Sequence, residues 1–247
     1  MSVILNYINI LETAQTVVPT DVNIGYPKGR LYDRDIGKEF RGLTFPANWY
    51  LVVTQYVTNI IQVDRLIIPA GHNFNGLSLK LQYSTTGAWA GEQVDALSWA
   101  QTDALIINKS FTAASKQYWR LNVIAPTSVP TMTEFYLTKD YTWEIPPNFG
   151  LREGYKRNMI RGETRSGRTR VVLLGEPRRS RQYELRYFSV TQKTDFENWE
   201  IANQGAKFFY LTDHNGTLIF MEMLNDMTFI PNSALWWSCD FDFLEVL

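Results

Sequence analysis

The chain predicts an all-β fold of mostly antiparallel strands, and three observations carry that reading. The first is alternation. Leu77, Leu79, Leu81 and Tyr83 are separated by Ser78, Lys80 and Gln82, and the same period recurs at Trp119, Leu121 and Val123 and at Leu235, Trp237, Cys239, Phe241 and Phe243. A period of two puts one set on a buried face and the other toward water. The second is composition: 14% of the residues are aromatic, eight of them tryptophan, and flat rings pack well on pleated surfaces. The third is punctuation by turn residues, as in Ser84-Thr85-Thr86-Gly87 and Asp213-His214-Asn215-Gly216.

Taken in order, residues 3–11 read as an opening strand, and 16–30 as a loop broken by Pro19, Gly25, Pro27 and Gly29. Strand candidates follow at 47–53, headed by Trp49 and Tyr50, at 56–63 and at 64–68, the last closed by Pro69-Ala70-Gly71. After the alternating strand at 77–83, residues 88–108 are irregular, with Trp89, Trp99, Leu105 and Ile107 as core contacts. Ala113-Ala114-Ser115 is a turn. Residues 117–124 alternate again, Pro126 and Pro130 bracket a break, and 134–137 and 141–145 are further strands. Pro146-Pro147-Asn148-Phe149-Gly150 is the strongest punctuation. The domain boundary is placed near it, giving domains 1–130 and 131–247, the second taking in the strands of 131–145.

Composition then changes. Residues 151–190 hold eleven basic and four acidic side chains, a local charge of +7. Residues 169–174 and 182–191 read as two strands joined by 175–181, a hairpin with a basic tip. Thr194-Asp195-Phe196-Glu197 matches a capping box and starts one short helix over 195–203, with Gly205 as its stop. Residues 207–211 and 217–223 flank Asn215-Gly216 as a hairpin.

Several function classes are excluded by what the chain contains. A formal net charge of −1 gives no global field toward nucleic acid or an anionic membrane. The single Cys239 excludes an intrachain disulfide and a cysteine-based zinc site. The opening residues lack a basic n-region, so no signal peptide is expected. No apolar run approaches the roughly 18 residues of a membrane span, so no membrane insertion is expected. The two histidines, His72 and His214, lie in turn sequences, with no GxSxG, HExxH or nucleotide motif beside them. No enzyme, catalytic residue, metal site or cofactor is therefore expected. Asp33 and Asp35, flanked by Arg30, Arg34 and Lys38, read as local ion pairs, and Asp240 and Asp242 as a solvated strand face. The arginines Arg165, Arg168, Arg170, Arg178, Arg179 and Arg181 are the sharpest charge feature. Their planar forks suit carboxylate or phosphate pairing, so they read as a subunit interface, a solvated hairpin or a phosphate contact, in that order.

The first half resembles the discoidin-like (F5/8 type C, galactose-binding-like) jelly roll in the form found in tail-associated proteins of bacteriophages. The resemblance rests on three segments: residues 25–35, with Leu31-Tyr32-Asp33; residues 64–84, from Asp64-Arg65-Leu66-Ile67-Ile68 through His72-Asn73-Phe74-Asn75-Gly76; and Tyr118-Trp119-Arg120-Leu121-Asn122-Val123. Phe40 stands where that family usually has tryptophan. The second half is similar in layout to phage tail-tube and distal-tail domains, which are β-sandwiches or barrels with one flanking helix. This resemblance implies a structural component of a virion tail, made in the host cytoplasm. It would form a homo-oligomer, a hexameric ring at the tail tip that extends the tube. The ring would dock tube, hub and tape-measure proteins, with nucleic acid only as cargo in its lumen. The alternative is a carbohydrate-binding protein or adhesin recognising a host glycan through Tyr26, Tyr32, Asp33, Asn73 and Asn75.

Overall fold

The computed structural model describes residues 2–144, 151–157, 159–163, 169–173, 175–203 and 208–246. It is all-β and antiparallel apart from one α-helix and one short 3-10 turn. The chain divides into two compact units, Ile8–Asp140 and Met1–Tyr7 with Tyr141–Leu247. The expected division at 130/131 differs from this in two ways. The first strand, β1 (Ser2–Asn6), belongs to the later unit, and the middle unit runs on to Asp140. The expected marker of the boundary at 146–150 lies outside the described residues.

The middle unit is an insertion. It holds β2 (Thr16–Pro19), β3 (Phe40–Arg41), β4 (Asn48–Thr54), β5 (Val63–Ile68), β6 (Ser78–Ser84), β7 (Val94–Ala100), β8 (Ile107–Ala114), β9 (Tyr118–Ile124), β10 (Thr131–Met132) and β11 (Tyr136–Thr138). A five-stranded sheet in the order β2-β4-β9-β6-β7 faces a three-stranded sheet β11-β5-β8, with β10 and β3 as a further pair. Leu51, Val53, Leu79, Leu81, Trp119, Leu121 and Val123 from the first sheet share one core with Leu66, Ile68, Ile107 and Leu137 from the second. The unit is thus a β-sandwich, and the alternation read from the sequence is what fills it. Residues 56–63, expected as a strand, are mostly loop, and Tyr56 and Val57 face water; only Val63 begins β5. The irregular stretch at 88–108 instead supplies β7 and the start of β8, and the expected turn at 113–115 is still strand at Ala113 and Ala114. Arg65 grips Asp140 with two hydrogen bonds of 2.5 Å where the chain leaves this unit.

The surrounding unit adds β12 (Tyr141–Glu144), β13 (Leu151–Lys156), β14 (Met159–Glu163), β15 (Thr169–Leu173), β16 (Arg178–Ser189), α1 (Val190–Asn203), β17 (Phe209–Thr212), β18 (Leu218–Met223), β19 (Ile230–Pro231) and β20 (Trp236–Glu245). Its main sheet runs β12-β1-β17-β18-β20-β16-β13, with β19 on β20, and it is not a closed barrel. β1 and β12 pair antiparallel, Leu5 opposite Tyr141, so the ends of the inserted unit leave from neighbouring strands. The core is an aromatic cluster. Trp199 on α1 meets Tyr7, Trp143, Phe209, Phe241 and Phe243 at centroid distances of 5.4–6.2 Å, mostly edge to face, the arrangement ring quadrupoles favour.

Two local expectations are corrected here. The helix starts at Val190, not Asp195, because the capping box is Ser189-Val190-Thr191-Gln192. The Ser189 Oγ accepts from the Gln192 amide at 3.3 Å, and Gln192 Oε1 accepts from the Ser189 amide at 2.9 Å. Thr194, the expected cap, donates back to the Val190 carbonyl from inside the helix. The expected stop, Gly205, lies outside the described residues. The basic hairpin is also paired differently: β15 pairs with β14, whereas β16 pairs with β13 and β20. Arg178, Arg179 and Arg181 therefore sit in a strand rather than at a hairpin tip.

Candidate functional site

The most structured solvent-facing feature of the inserted sandwich lies on the outer face of its five-stranded sheet. Cross-strand register aligns Val52, Arg120 and Gln82 in one row and Tyr50, Asn122 and Lys80 in the next. The guanidinium of Arg120 lies 4.7 Å from the ring centroid of Tyr50 and 4.3 Å from that of Trp89, a cation between two aromatic faces. Its Nε donates to Gln82 Oε1 at 2.7 Å, Gln82 Nε2 donates to Asp95 Oδ1 at 2.5 Å, and Lys80 Nζ pairs with Asp95 Oδ2 at 2.7 Å. Bonds from Gln82 and Lys80 hold the Asp95 carboxyl below its usual range. Burial lowers the Arg120 pKa, with the Tyr50 and Asp95 charges opposing.

The loop between β6 and β7 brings Trp89 there. Glu92 Oε1 accepts from the hydroxyls of Ser84 and Thr86 and from the amides of Thr86 and Ala88, and these bonds push its carboxyl down to about 2. Gly87 adopts φ +84° with the Tyr118 ring 3.0 Å from where a Cβ would stand, an approach open only to glycine. Trp89 itself has φ 61°, a left-handed backbone rare for a bulky residue. Such strain persists only where the surroundings impose it, here in a loop tied down by Glu92.

The side chains expected from the sequence lie in the loops at one end of the sandwich. Tyr26 carries the guanidinium groups of Arg41 and Arg30 at 4.7 and 5.3 Å from its centroid. Tyr32 packs half-buried against the core. Asn73 is committed to structure: its amide donates to Ser128 Oγ and the Val129 carbonyl, and its oxygen accepts from Thr131. Asn75 is exposed. His72 is buried, its Nδ1 accepting from the Phe74 amide at 3.2 Å and its Nε2 2.8 Å from the Leu105 carbonyl; burial lowers its pKa. Asp33 is exposed and receives the Asp35 amide. Beside it, Glu134 is wholly buried, and burial, with the Asp33 charge, pushes its carboxyl up to about 9 against the opposing pull of the Arg34 and Asp35 amides.

Of the six arginines, Arg165 and Arg168 lie outside the described residues, and Arg170 stands opposite Gly162 in β15. The other three are paired within the chain. Arg178 meets Glu222 at 2.6 Å, Arg179 meets Glu245 at 3.8 Å, and Arg181 lies 3.2 Å from Glu153 and 3.3 Å from Asp213. The Tyr50–Arg120–Trp89 face was missed by sequence reading, although the outward positions of the alternating strands held the signal for Arg120 and Gln82. Trp89, expected as a core contact in an irregular stretch, is instead half-buried over Arg120.

No family model and no curated protein matches the sequence. Among solved structures, chitosan-binding module 1 of a chitosanase/glucanase from Paenibacillus sp. IK-5 is similar over 54% of this chain and 98% of its own, with 15% identity and a TM-score of 0.45. A CBM32 module from Clostridium perfringens, in complex with GalNAc-β-1,3-galactose, is similar over 53% of this chain and 99% of its own, with 8% identity and a TM-score of 0.43. A Ruminococcus gnavus GH29 fucosidase in complex with fucose is matched over only 27% of its length, at 15% identity and a TM-score of 0.44. At such identities and TM-scores these likenesses carry no functional weight. What they share with this chain is the β-sandwich fold.

Proposed function

We propose that the inserted sandwich is a carbohydrate-binding module whose ligand lies on the Tyr50–Arg120–Trp89 face. The observation that carries this is Arg120 held between two rings, one of them on a strained and tightly bonded loop. A sugar presents an apolar C–H face and a rim of hydroxyls. Aromatic side chains cover the first, while Arg120, Asp95 and Lys80 offer donors and acceptors to the second. Oligosaccharides of neutral, amino and acidic sugars, titrated against the chain by tryptophan fluorescence, test it. Saturable binding that falls at least tenfold in both Trp89→Ala and Arg120→Met supports the reading. Binding untouched by both and lost in Tyr26→Ala or Asn75→Ala moves the site to the loop end, and no saturable binding sinks it.

A second reading concerns the surrounding unit, where self-association is favoured by the β14–β15 hairpin. Ile160, Val171, Val172 and Leu173 on it are each more than half exposed. A two-stranded hairpin is marginal alone, and clustered exposed apolar side chains mark interaction surfaces. On this reading the chain assembles into a ring within a virion tail, with other tail proteins as partners. Light scattering on the purified chain decides it: a monomer at every concentration removes the ring.

A further inference from the structure

The turn between β17 and β18 carries a polar cluster that the proposed glycan face does not use. Glu153 on β13, Asp213 and His214 each offer one ligand atom, and the three atoms lie within 4.8 Å of one another. His214 Nε2 stands 3.6 Å from Glu153 Oε1. Ligand atoms around a tetrahedral ion with bonds of about 2.0–2.2 Å are roughly 3.3–3.6 Å apart, so the His214–Glu153 pair already stands at a coordinating separation. Asp213 is fixed in place, because its Oδ1 accepts from the amides of Asn215 and Thr217 at 2.9 Å each, while Oδ2 faces Arg181 Nη2 at 3.3 Å.

Two further observations point to a ligand. Tyr183 is 1% exposed and its hydroxyl has no partner, although its nearest charges are Asp213, Arg181 and Glu153. Nδ1 of His214 is likewise buried without a partner. Native interiors rarely leave such groups unpaired. A cavity of about 180 Å³ lies against Glu153 and Arg181. Arg181 supplies the positive charge that touches Glu153 and Asp213 among the described residues. With neutral histidine the group carries a formal charge of −1, so it can accept a divalent ion.

We propose that Glu153, Asp213 and His214 form a divalent-metal site, with zinc the ion best matched to one imidazole and two carboxylates. Sequence spacing hid it, since the ligands come from one strand and a turn sixty residues later. Arg181 is a competitor for the same carboxylates rather than a ligand.

The test uses the full chain, washed with chelator and titrated with ZnCl₂ by calorimetry, and with CoCl₂ by visible absorption. One ion per chain is expected, with binding weakened at least tenfold in His214→Ala and Glu153→Gln. Because His72 is the only other histidine and is buried, a tetrahedral Co²⁺ spectrum that disappears in His214→Ala locates the site. Arg181→Met, which removes the competing charge, tightens binding roughly tenfold or more. Melting curves of the metal-free variants show whether each is folded. No saturable uptake by the parent chain overturns the site, as does uptake that His214→Ala leaves unchanged.

Discussion

The inserted sandwich and the unit around it bury their polar groups in different ways. The sandwich packs aliphatic side chains between two sheets, and its buried polar atoms are mostly tied to loops. Gln55 bonds the Ile61 and Lys116 backbone, Asn9 the Phe135 carbonyl and Leu137 amide, and Asn73 the segment 128–131. The surrounding unit packs rings around Trp199 and holds a charged cluster, Arg181 with buried Asp213 and exposed Glu153, beside a tyrosine hydroxyl with no partner. Polar groups tied to backbone hold loops still, which suits a surface that must present side chains in fixed positions. A charge cluster depends on each of its members, and removing one of them leaves the others uncompensated.

The largest expected effect tests the aromatic core. Trp199→Ala removes ring contacts to five neighbours and costs about 3–5 kcal/mol. If the units are energetically separate, urea unfolding shows one early transition while glycan binding by the sandwich persists. Loss of both together breaks the comparison.

Glu134 is the exception in the sandwich, a wholly buried carboxyl beside the Asp33 carboxyl, and it gives the next largest effect. Its folded pKa of about 9 lies above the ordinary 4.5, so between these values the folded state keeps a proton that the unfolded state has lost. Stability of the sandwich therefore falls as pH rises from about 4.5 toward 9. Glu134→Gln should remove that slope and gain about 3 kcal/mol at pH 7, at 1.36 kcal/mol per pKa unit. Urea melts at pH 5 and pH 8 check it, and a parent chain equally stable at both refutes it.

Gly87→Ala places a Cβ against the Tyr118 ring at a positive φ, costing about 1–2 kcal/mol. Because that loop carries Trp89, the variant should lose glycan affinity while a core variant such as Leu79→Ala, folded at low temperature, keeps it. The smallest effect is Ser189→Ala, about 1 kcal/mol from the lost helix cap, confined to the transition of the surrounding unit. Thr194→Ala, at the position the sequence favoured, should be near neutral.

Much of the fold was legible from local pattern. The strands at 77–83, 117–124 and 235–243 lie within a residue or two of the observed β6, β9 and β20, and the Asp213–Gly216 turn sits between β17 and β18 as its Asn-Gly predicts. The sites were less legible. Arg178, Arg179 and Arg181 were visible as a charge cluster, but their partners Glu222, Glu245, Glu153 and Asp213 lie 28 to 66 positions away in the chain. Nothing in sequence spacing joins them.

By itself the sequence determined that the chain is built of amphipathic strands, where many of them run and which faces are apolar. These properties depend on residues two apart and on turns of a few residues. Only the tertiary structure decided which strands pair, since every strand carries the same backbone donors and acceptors. That pairing moved β16 from the expected hairpin to a place between β13 and β20, and it set β1 beside β12 so that the sandwich became an insertion. It also brought Trp89 over Arg120, and Glu153 beside His214, contacts that exist only once distant strands have found their register.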